Sequence, residues 1–383
     1  MDVSQDIVDL ARQWRHDLHR HPELAFEEHR TSAFVAKTLG ENGFEVHGGY
    51  AGTGVVGTLS RGTSSRAIAL RADMDALPLE EQTGAPYASL KQGVMHACGH
   101  DGHISMLLAA AKIAASRTDL NGTVHFIFQP AEEIFGGARK MMDDGLFRDF
   151  APDNIYALHN WPSLQPGKVV ARDGAMMAAF ATFEINVIGR GAHGAMPHEG
   201  ADPIAATGQL ITALQSITAR NVSPLQSSVV SVTQMSGGDT YNVIPEHVRL
   251  RGTTRWFDHG VGDLIERRLT QVAQRISEAY ECRADVLYER RYPATINDAA
   301  CAAISRRAAA NVGLEVVDAD PSMAAEDFAF MLEERKGAYL WLGSQREGAN
   351  PGLHAPQFDF NDAILSDGIR LWTGLLTQEL ARG

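Results

Sequence analysis

Apolar residues near the N-terminus recur at intervals of three or four positions. This spacing predicts one face of an amphipathic helix, and its members are Ile7, Leu10, Trp14 and Leu18. A second stretch with the same period ends at Gly40, a residue type that often terminates helices. Beyond it, short apolar runs such as 54–59 and 124–128 have the composition of strands and alternate with helical stretches. This alternation predicts an α/β fold in which helices sandwich a mostly parallel sheet.

The pattern of elements changes between residues 180 and 293. There the predicted order is strand, helix, strand, strand, helix, strand, with helices over 203–219 and 261–279. This βαββαβ order is that of a ferredoxin-like unit, which can fold by itself. We therefore predict one domain made of residues 1–179 and 294–383, into which residues 180–293 are inserted as a second domain.

The size and charge of the chain limit the classes of protein to which it can belong. The chain has 383 residues, which is longer than a typical single domain of about 100–200 residues and agrees with two domains. The net charge of −13 repels phosphate backbones and anionic lipids, so neither nucleic acid nor a membrane is expected as a partner. We find no membrane-spanning run and no secretory signal at the N-terminus. Three cysteines are too few for a disulfide scaffold and favour the reducing cytoplasm.

The densest chemical signal lies between residues 96 and 103, where the sequence HACGHDGH holds three histidines, a thiol and a carboxylate. Imidazole and thiolate are preferred ligands of zinc and its neighbours in the transition series. Cys98 and His100 are alternate residues, so both side chains point to the same side of an extended segment. The alternative is a polar loop that caps the next helix, with Cys98 buried as a small apolar residue.

Two adjacent carboxylates, Glu132 and Glu133, follow the predicted strand at 124–128. Ligands of parallel sheets gather at the carboxyl ends of the strands. Because adjacent side chains point to opposite sides, one carboxylate can bind a metal while the other faces the substrate as a general base. The alternative is an acidic first turn of the next helix, which the helix dipole would stabilise.

Further donor residues follow other predicted strands. His159 and His354 each fit a structural histidine when taken alone. Asp73 and Asp75 either orient a metal-binding imidazole by a hydrogen bond to its other nitrogen or form a turn. Five separate structural explanations would be needed for five donors that coincide at predicted strand ends, so one shared explanation is favoured. The five donors together predict a metal site, whose residues are Cys98, His100, Glu133, His159 and His354.

Short motifs occur in a fixed order along almost the whole chain. They are 21–24 (HPEL), 73–75 (DMD), 98–103 (CGHDGH), 129–133 (QPAEE), 191–193 (GAH), 242–245 (NVIP), 252–255 (GTTR), 326–328 (EDF) and 353–354 (LH). With this set, the chain resembles the aminoacylase and carboxypeptidase family of two-metal hydrolases, in the branch of hippurate hydrolases and auxin-amino-acid conjugate hydrolases. The resemblance implies a metal-binding catalytic domain with an inserted dimerisation and lid domain at 180–293.

The resemblance implies a site for two divalent ions of zinc, manganese, nickel or cobalt. The implied ligands are Cys98, His100, Glu133, His159 and His354. Many relatives outside this branch carry a histidine where Asp73 stands here, and Cys98 is implied to supply the missing ligand. Glu132 is implied to be the general base, and Asp75 is counted with the catalytic residues.

The implied reaction is hydrolysis of the amide bond of a small N-acyl amino acid, which yields a carboxylic acid and a free amino acid. A hydroxide that bridges the metals attacks the carbonyl, and Glu132 carries the proton to the leaving amine. His193, from the inserted domain of a partner subunit, is implied to stabilise the oxyanion. Asn242 and Arg255 are implied to clamp the substrate carboxylate. The alternatives are an ordinary solvated loop at His193 and an ordinary strand end at Arg255.

The role implied for His193 requires a homodimer, or a tetramer, whose interface the inserted domain provides. Two other functions fit the same motifs. One is a dipeptidase or carboxypeptidase, and the other is a catalytically silent binding protein on the same fold. The pattern of Cys98 and His100 favours the amidohydrolase branch, and the retained Glu132 argues against a silent protein.

Overall fold

The computed structural model describes residues 3–134 and 136–381. Within these ranges the helices are α1 (Gln5–Arg20), α2 (His29–Glu41), α3 (His100–Ser116), α4 (Gly137–Asp143), α5 (Leu146–Asp149), α6 (Pro203–Leu214), α7 (His259–Glu278), α8 (Ala299–Asn311), α9 (Ala329–Glu334) and α10 (Leu365–Leu380). The strands are β1 (Glu45–Tyr50), β2 (Gly54–Arg61), β3 (Ala67–Asp73), β4 (Gly122–Gln129), β5 (Asn154–Trp161), β6 (Lys168–Val170), β7 (Gly174–Met177), β8 (Ala179–Ile188), β9 (Ala192–His193), β10 (Ser228–Ser236), β11 (Val243–Ile244), β12 (His247–Trp256), β13 (Arg283–Tyr292), β14 (Thr295–Asn297), β15 (Glu315–Val316) and β16 (Lys336–Gly343). None of the described helices combines the length and the apolar character needed to cross a membrane.

The chain divides into two compact units. Unit 1 runs to Met176 and continues over Thr295–Asp320 and from Glu326 onward, and unit 2 consists of Met177–Ala294 and Pro321–Ala325. The short segment belongs to unit 2 because the N–H of Ala178 lies 3.0 Å from the carbonyl oxygen of Ser322 and 2.9 Å from that of Ala324. The domains inferred from the sequence, 1–179 with 294–383 and 180–293, stay a prediction, and they place this short segment in the first domain.

Unit 1 is built on an eight-stranded sheet in the order β1-β2-β4-β3-β5-β16-β6-β15. Its centre, from β4 through β3 and β5 to β16, is parallel, whereas β1, β2 and β4 pair antiparallel at one side. The central strands are buried along almost their whole length, as expected for parallel strands that are covered on both faces. The predicted α/β fold with a mostly parallel sheet is confirmed.

Helix α3 is the central helix of this unit. Its residues from His100 to Ala111 are all buried, because it packs against the sheet and against α1 and α10. The contact with α10 is close: a Cβ atom at Gly368 would lie 2.0 Å from the sulfur of Met106. Because α3 cannot shift without disturbing this packing, its first residue, His100, is held in place by the core.

Buried charges tie α1 to the rest of unit 1. The fully buried Arg15 donates from Nε to Asp362 (2.8 Å), and its Nη1 lies 3.8 Å from Asp101. His19 donates from Nδ1 to Asp101 (2.8 Å), and its Nε2 lies 3.4 Å from Glu81. Burial alone would lower the pKa of His19, but Asp101 and Glu81 raise it to about 9. The imidazole is therefore charged at neutral pH and compensates the carboxylate in the first turn of α3.

Unit 2 contains a four-stranded antiparallel sheet in the order β10-β12-β8-β13. Along β8, buried and partly exposed residues alternate strictly, because one face of the sheet packs on helices and the other does not. Helices α6 and α7 cover the packed face, and the core between them includes Phe183, Ile185, Leu210, Leu250, Ile265 and Leu269. The four strands of this sheet and the two helices follow one another along the chain in the order βαββαβ.

Replacement of His19 by glutamine removes the charge between α1 and α3. The folded-state pKa of about 9 exceeds the usual 6.5, so the stabilisation is fully present below pH 6.5 and is lost as the pH rises through 9. We expect His19→Gln to lower the free energy of unfolding of the metal-free protein by about 2 kcal/mol at pH 6 and by much less at pH 10. Urea denaturation at the two pH values measures the difference.

A matched control lies on the same helix. Burial lowers the pKa of His16, so His16→Gln should not produce the same pH dependence. A penalty for His19→Gln that is equal at pH 6 and pH 10 would show that this imidazole is not charged in the folded protein.

Candidate metal centre

Three potential metal ligands of unit 1 meet although they come from different elements. Cys98 lies in the loop before α3, His100 is the first residue of α3, and His159 lies near the carboxyl end of β5. The loop enters α3 through Gly99, whose φ of 96° is left-handed and where a Cβ atom would lie 2.4 Å from the side-chain oxygen of Asn160. Cys98 Sγ lies 3.3 Å from His159 Nε2. The thiol and the two imidazoles can together hold a metal ion.

Hydrogen bonds fix which nitrogen of each imidazole carries the proton when the ring is neutral. His100 Nδ1 donates to the backbone carbonyl of Asp75, and His159 Nδ1 donates to that of Asn160, each over 2.8 Å. A neutral ring that donates from one nitrogen keeps a lone pair on the other, here Nε2, for a metal. His100 Nε2 is buried and forms no hydrogen bond within the described ranges. Because such buried polar atoms are rare, its surroundings fit a metal ligand.

A second group of donors adjoins the first. Glu133 Oε1 lies 3.2 Å from His354 Nε2 and 3.9 Å from His100 Nε2. In the described part of the chain this oxygen, too, is buried without a hydrogen bond. Cys98, Glu133 and His354 can hold a second ion, so Cys98 belongs to both groups. His354 has a left-handed φ of 63°, and such backbone strain in a residue with a side chain clusters at functional sites.

The site carries an excess of negative charge. Burial raises the pKa of Glu132 well above its usual value, and nearby carboxylates, first that of Glu326, raise it further. Burial likewise raises the pKa of the Cys98 thiol, and nearby carboxylates add to the shift. For His100, burial opposes the charged form, but the carboxylates around it, first that of Asp73, raise its pKa to about 10. A divalent cation would compensate this charge and favour the deprotonated forms of the donors.

The two aspartates of the DMD segment support the groups around the donors. Asp75 accepts hydrogen bonds from the backbone N–H groups of Glu132 and Glu133, at 3.0 and 3.1 Å. Asp73 accepts a hydrogen bond from Nδ1 of His103 at 2.6 Å. Both aspartates are buried. The catalytic role of Asp75 stays a prediction. The contacts of Asp75 place it where it supports the backbone of Glu132 and Glu133.

Two of the remaining predicted site residues, His193 and Asn242, lie close together in unit 2. A short ladder between β9 and β11 pairs His193 with Val243, and the N–H of Gly194 donates to the carbonyl of Asn242 over 2.8 Å. His193 is exposed, and its Nδ1 accepts a hydrogen bond from the N–H of Ala195 at 3.0 Å. The ring therefore keeps Nε2 available as a donor.

Arg255 lies on β12 of the same unit. Its guanidinium carbon is 4.6 Å from the centre of the Phe180 ring, which is a cation–π contact. Among the described residues no carboxylate forms an ion pair with Arg255, and burial lowers its pKa. A half-buried arginine without an anionic partner is suited to bind the anionic group of a ligand.

Arg71 is not among the residues predicted from the sequence, and it is fully buried beside the donors. Its Nη2 lies 3.0 Å from both Glu326 and Asp327, which are far away in the sequence. One signal was available, because Arg71 precedes Asp73 by two residues in a strand and therefore shares its face of the sheet. The motif at 326–328 carries part of the resemblance but no predicted role.

Comparison with known proteins decides the family. The sequence model of Peptidase family M20/M25/M40 matches residues 69–378. The chain belongs to this family. It is 42% identical to N-acetyl-L-cysteine deacetylase of Bacillus subtilis, over 92% of this chain and 83% of that protein. It is 41% identical to hippurate hydrolase of Campylobacter jejuni, over 96% of each chain.

A solved structure supports the same family. This M20-family chain superposes on a dinuclear metal-binding peptidase of Bacillus subtilis with a TM-score of 0.87 and 33% identity, over 97% of this chain and 98% of that one. The predicted family and the assignment to the hydrolases are thereby confirmed. The candidate donors from Cys98 to His354 all lie inside the range that the family model matches.

Proposed function

We propose that this M20-family protein hydrolyses the amide bond of small N-acyl amino acids to a carboxylic acid and a free amino acid. The observation that carries this proposal is the convergence of thiol, imidazole and carboxylate donors in unit 1 beside a buried glutamate, Glu132. Two relatives are named for reactions on N-acetyl-L-cysteine and on hippurate, which are both N-acyl amino acids. These names support the same substrate class here.

The proposed cofactor is a pair of divalent ions of zinc, manganese, nickel or cobalt. The proposed ligands are Cys98, His100, Glu133, His159 and His354. Support comes from the two adjoining donor groups and from the buried atoms His100 Nε2 and Glu133 Oε1, which other described residues leave without hydrogen bonds. A mixture of thiolate, imidazole and carboxylate suits these transition metals. When bound, such ions polarise an amide carbonyl and lower the pKa of a water molecule.

Glu132 is the proposed general base. Its carboxylate lies within 4.8 Å of donor atoms of His100 and Glu133, and the backbone of the Glu132–Glu133 pair is held by Asp75. Adjacent side chains can serve different partners, so one carboxylate binds metal while the other faces the reacting atoms. Glu132 accepts the proton of the attacking water and donates it to the nitrogen of the leaving amino acid.

Unit 2 is proposed as a dimerisation and lid domain. His193 of one subunit stabilises the oxyanion in the other, and Asn242 and Arg255 bind the substrate carboxylate. The support is the exposed position of His193 beside Asn242, together with an arginine that makes no ion pair within the described residues. The protein is then a homodimer or, as a pair of dimers, a tetramer. Its binding partner is a small-molecule substrate.

The proposed location is the cytoplasm. All three cysteines, Cys98, Cys282 and Cys301, are free. A thiolate ligand is easily oxidised, so a reducing compartment keeps Cys98 able to bind metal.

Glu132→Gln removes the proposed base and keeps the size of the side chain. We expect kcat for N-acetyl and N-benzoyl amino acids to fall by about 10²–10⁴-fold, while two metal ions per chain remain bound. The measurements are release of free amino acid from a panel of N-acyl amino acids and dipeptides, and metal content before and after chelator treatment. The exposed Glu334 of the same unit gives the control variant Glu334→Gln, which should keep the wild-type kcat.

Each contrary outcome has a distinct meaning. A wild-type protein that binds two ions but cleaves nothing in the panel would leave a binding role or a substrate outside the panel. Preference for dipeptides would change the substrate class to that of a dipeptidase. An undiminished kcat in Glu132→Gln would remove this residue from the mechanism.

Arg255→Lys keeps a positive charge but loses the planar fork that binds a carboxylate with two hydrogen bonds. We expect KM for N-acyl amino acids to rise by about 10- to 100-fold. Hydrolysis of N-acyl amines, which lack the carboxylate, should not change. Steady-state kinetics on both substrate types measure this, and Arg291→Lys, at an exposed position of β13, is the control. An equal loss on both substrate types would assign Arg255 to folding instead of substrate binding.

A further inference from the structure

The segment 130–134, which follows β4, carries Glu132 and Glu133, and carboxylates from other parts of unit 1 hold its backbone. Three backbone N–H groups of the segment and one in the first turn of α4 each donate to such a carboxylate. The donor and acceptor pairs are Ala131 to Glu28 (3.0 Å), Glu132 to Asp75 (3.0 Å), Glu133 to Asp75 (3.1 Å) and Ala138 to Asp327 (2.8 Å). These carboxylates therefore hold the backbone of residues 130–134, which belong to no helix or strand.

This shape is strained and needs such support. Ala131 has a left-handed φ of 54°, which residues with a side chain rarely adopt. At Gly137 the chain passes so close to itself that a Cβ atom would lie 1.7 Å from the carbonyl oxygen of Pro130. Strained backbone persists only where the surrounding structure holds it.

Arg71 connects the groups that hold the segment. Its side chain has no exposed surface, and each of its nitrogens is engaged. The contacts are Nε to Gln129 Oε1 (2.8 Å), Nη1 to Asp73 Oδ2 (2.8 Å), Nη2 to Asp327 Oδ1 (3.0 Å) and Nη2 to Glu326 Oε1 (3.0 Å). One guanidinium thus binds side chains from β3, from the end of β4 and from the loop before α9.

Gln129 completes this arrangement. It is the last residue before the segment, and its Nε2 lies 2.8 Å from each carboxylate oxygen of Asp327. Arg71, Gln129 and Asp327 therefore form a buried triangle. The triangle fixes the start of the segment through Gln129, and it fixes the first turn of α4 through the bond from Ala138 to Asp327.

The two donor groups of the metal centre differ in their dependence on this triangle. Cys98, His100 and His159 are placed by the start of α3 and by β5, which the core holds directly. Glu133, by contrast, is placed by the segment 130–134. A disturbed segment should therefore affect the ion that Glu133 and His354 bind more than the other ion.

We propose that Arg71 is a positioning residue, which fixes Glu132 and Glu133 through the triangle and thereby maintains the metal position formed with Glu133 and His354. This inference rests on the proposed function, because it assumes two bound ions and a general base at Glu132. Lysine cannot replace Arg71, since its three donors sit on one nitrogen and cannot reach the four acceptors that the planar fork of the guanidinium spans.

Arg71→Lys tests the proposal. Loss of a group that supports metal ligands typically reduces metal affinity or activity by about 10- to 100-fold. We expect metal content after dialysis to fall from two ions per chain to about one, with kcat reduced about 100-fold and KM changed less than about threefold. Metal at millimolar concentration should restore the second ion and part of kcat.

A matched control exists at the far end of α3. Arg117 is also buried, with 6% of its side chain exposed, and it donates to Thr377 (2.8 Å) away from the segment. Arg117→Lys should lower the unfolding temperature but keep two ions and the wild-type kcat. If Arg71→Lys does not fold, Gln129→Met opens the triangle without removing a charge and should show the same separation of effects, with kcat reduced about 10-fold.

The outcomes separate the two proposals. A wild-type protein without metal or without hydrolysis of N-acyl amino acids contradicts the proposed function. A normal wild type with an Arg71→Lys variant that keeps both ions and full kcat, or that loses both ions together, overturns the positioning role. The positioning role is also overturned if Arg71→Lys and Arg117→Lys behave alike, or if Gln129→Met behaves as wild type.

Discussion

The rest of unit 1 depends on how negative charge is compensated at the carboxyl edge of its sheet. Asp73, Asp75 and Asp327 are all at most 1% exposed, and Glu132 is 7% exposed. A buried carboxylate without compensation costs several kcal/mol, so each needs hydrogen-bond donors or a cation. Backbone N–H groups serve Asp75, and the guanidinium of Arg71 serves Asp73 and Asp327. The buried ligand atoms His100 Nε2 and Glu133 Oε1 have no hydrogen bond among the described residues, and metal ions fill that need in the proposed function.

The architecture explains why the donors meet. Parallel strands end at one edge of the sheet, and α3 begins at that edge, so groups from distant parts of the sequence are placed side by side. The core fixes α3 and β5, whereas the segment after β4 and the loop at His354 are held by polar contacts. This difference gives the two donor groups unequal rigidity. Left-handed residues occur in both of the less regular pieces, at Ala131 and His354.

The sequence was most informative where a local residue pattern is compatible with a single structure. The buried run 124–128 lies within β4, and the glutamates that follow it lie at the sheet edge as predicted from the parallel order. Cys98 and His100 were recognisable because both residue types bind metals at a short spacing. The contacts of Arg71 were not predictable, since its partners Glu326 and Asp327 are some 250 residues away and no local pattern links them. The pairing of segment 321–325 with unit 2 was hidden for the same reason.

X-ray absorption at the metal edge is the measurement to make first, because it reports whether Cys98 and the imidazoles form one metal centre. The protein would be stripped with chelator, reloaded with zinc to two ions per chain and compared with Cys98→Ala. We expect a sulfur neighbour at about 2.3 Å and nitrogen or oxygen neighbours at about 2.0–2.1 Å, with the sulfur shell absent from the variant. A spectrum with only nitrogen and oxygen neighbours while Cys98 is present and reduced would contradict it.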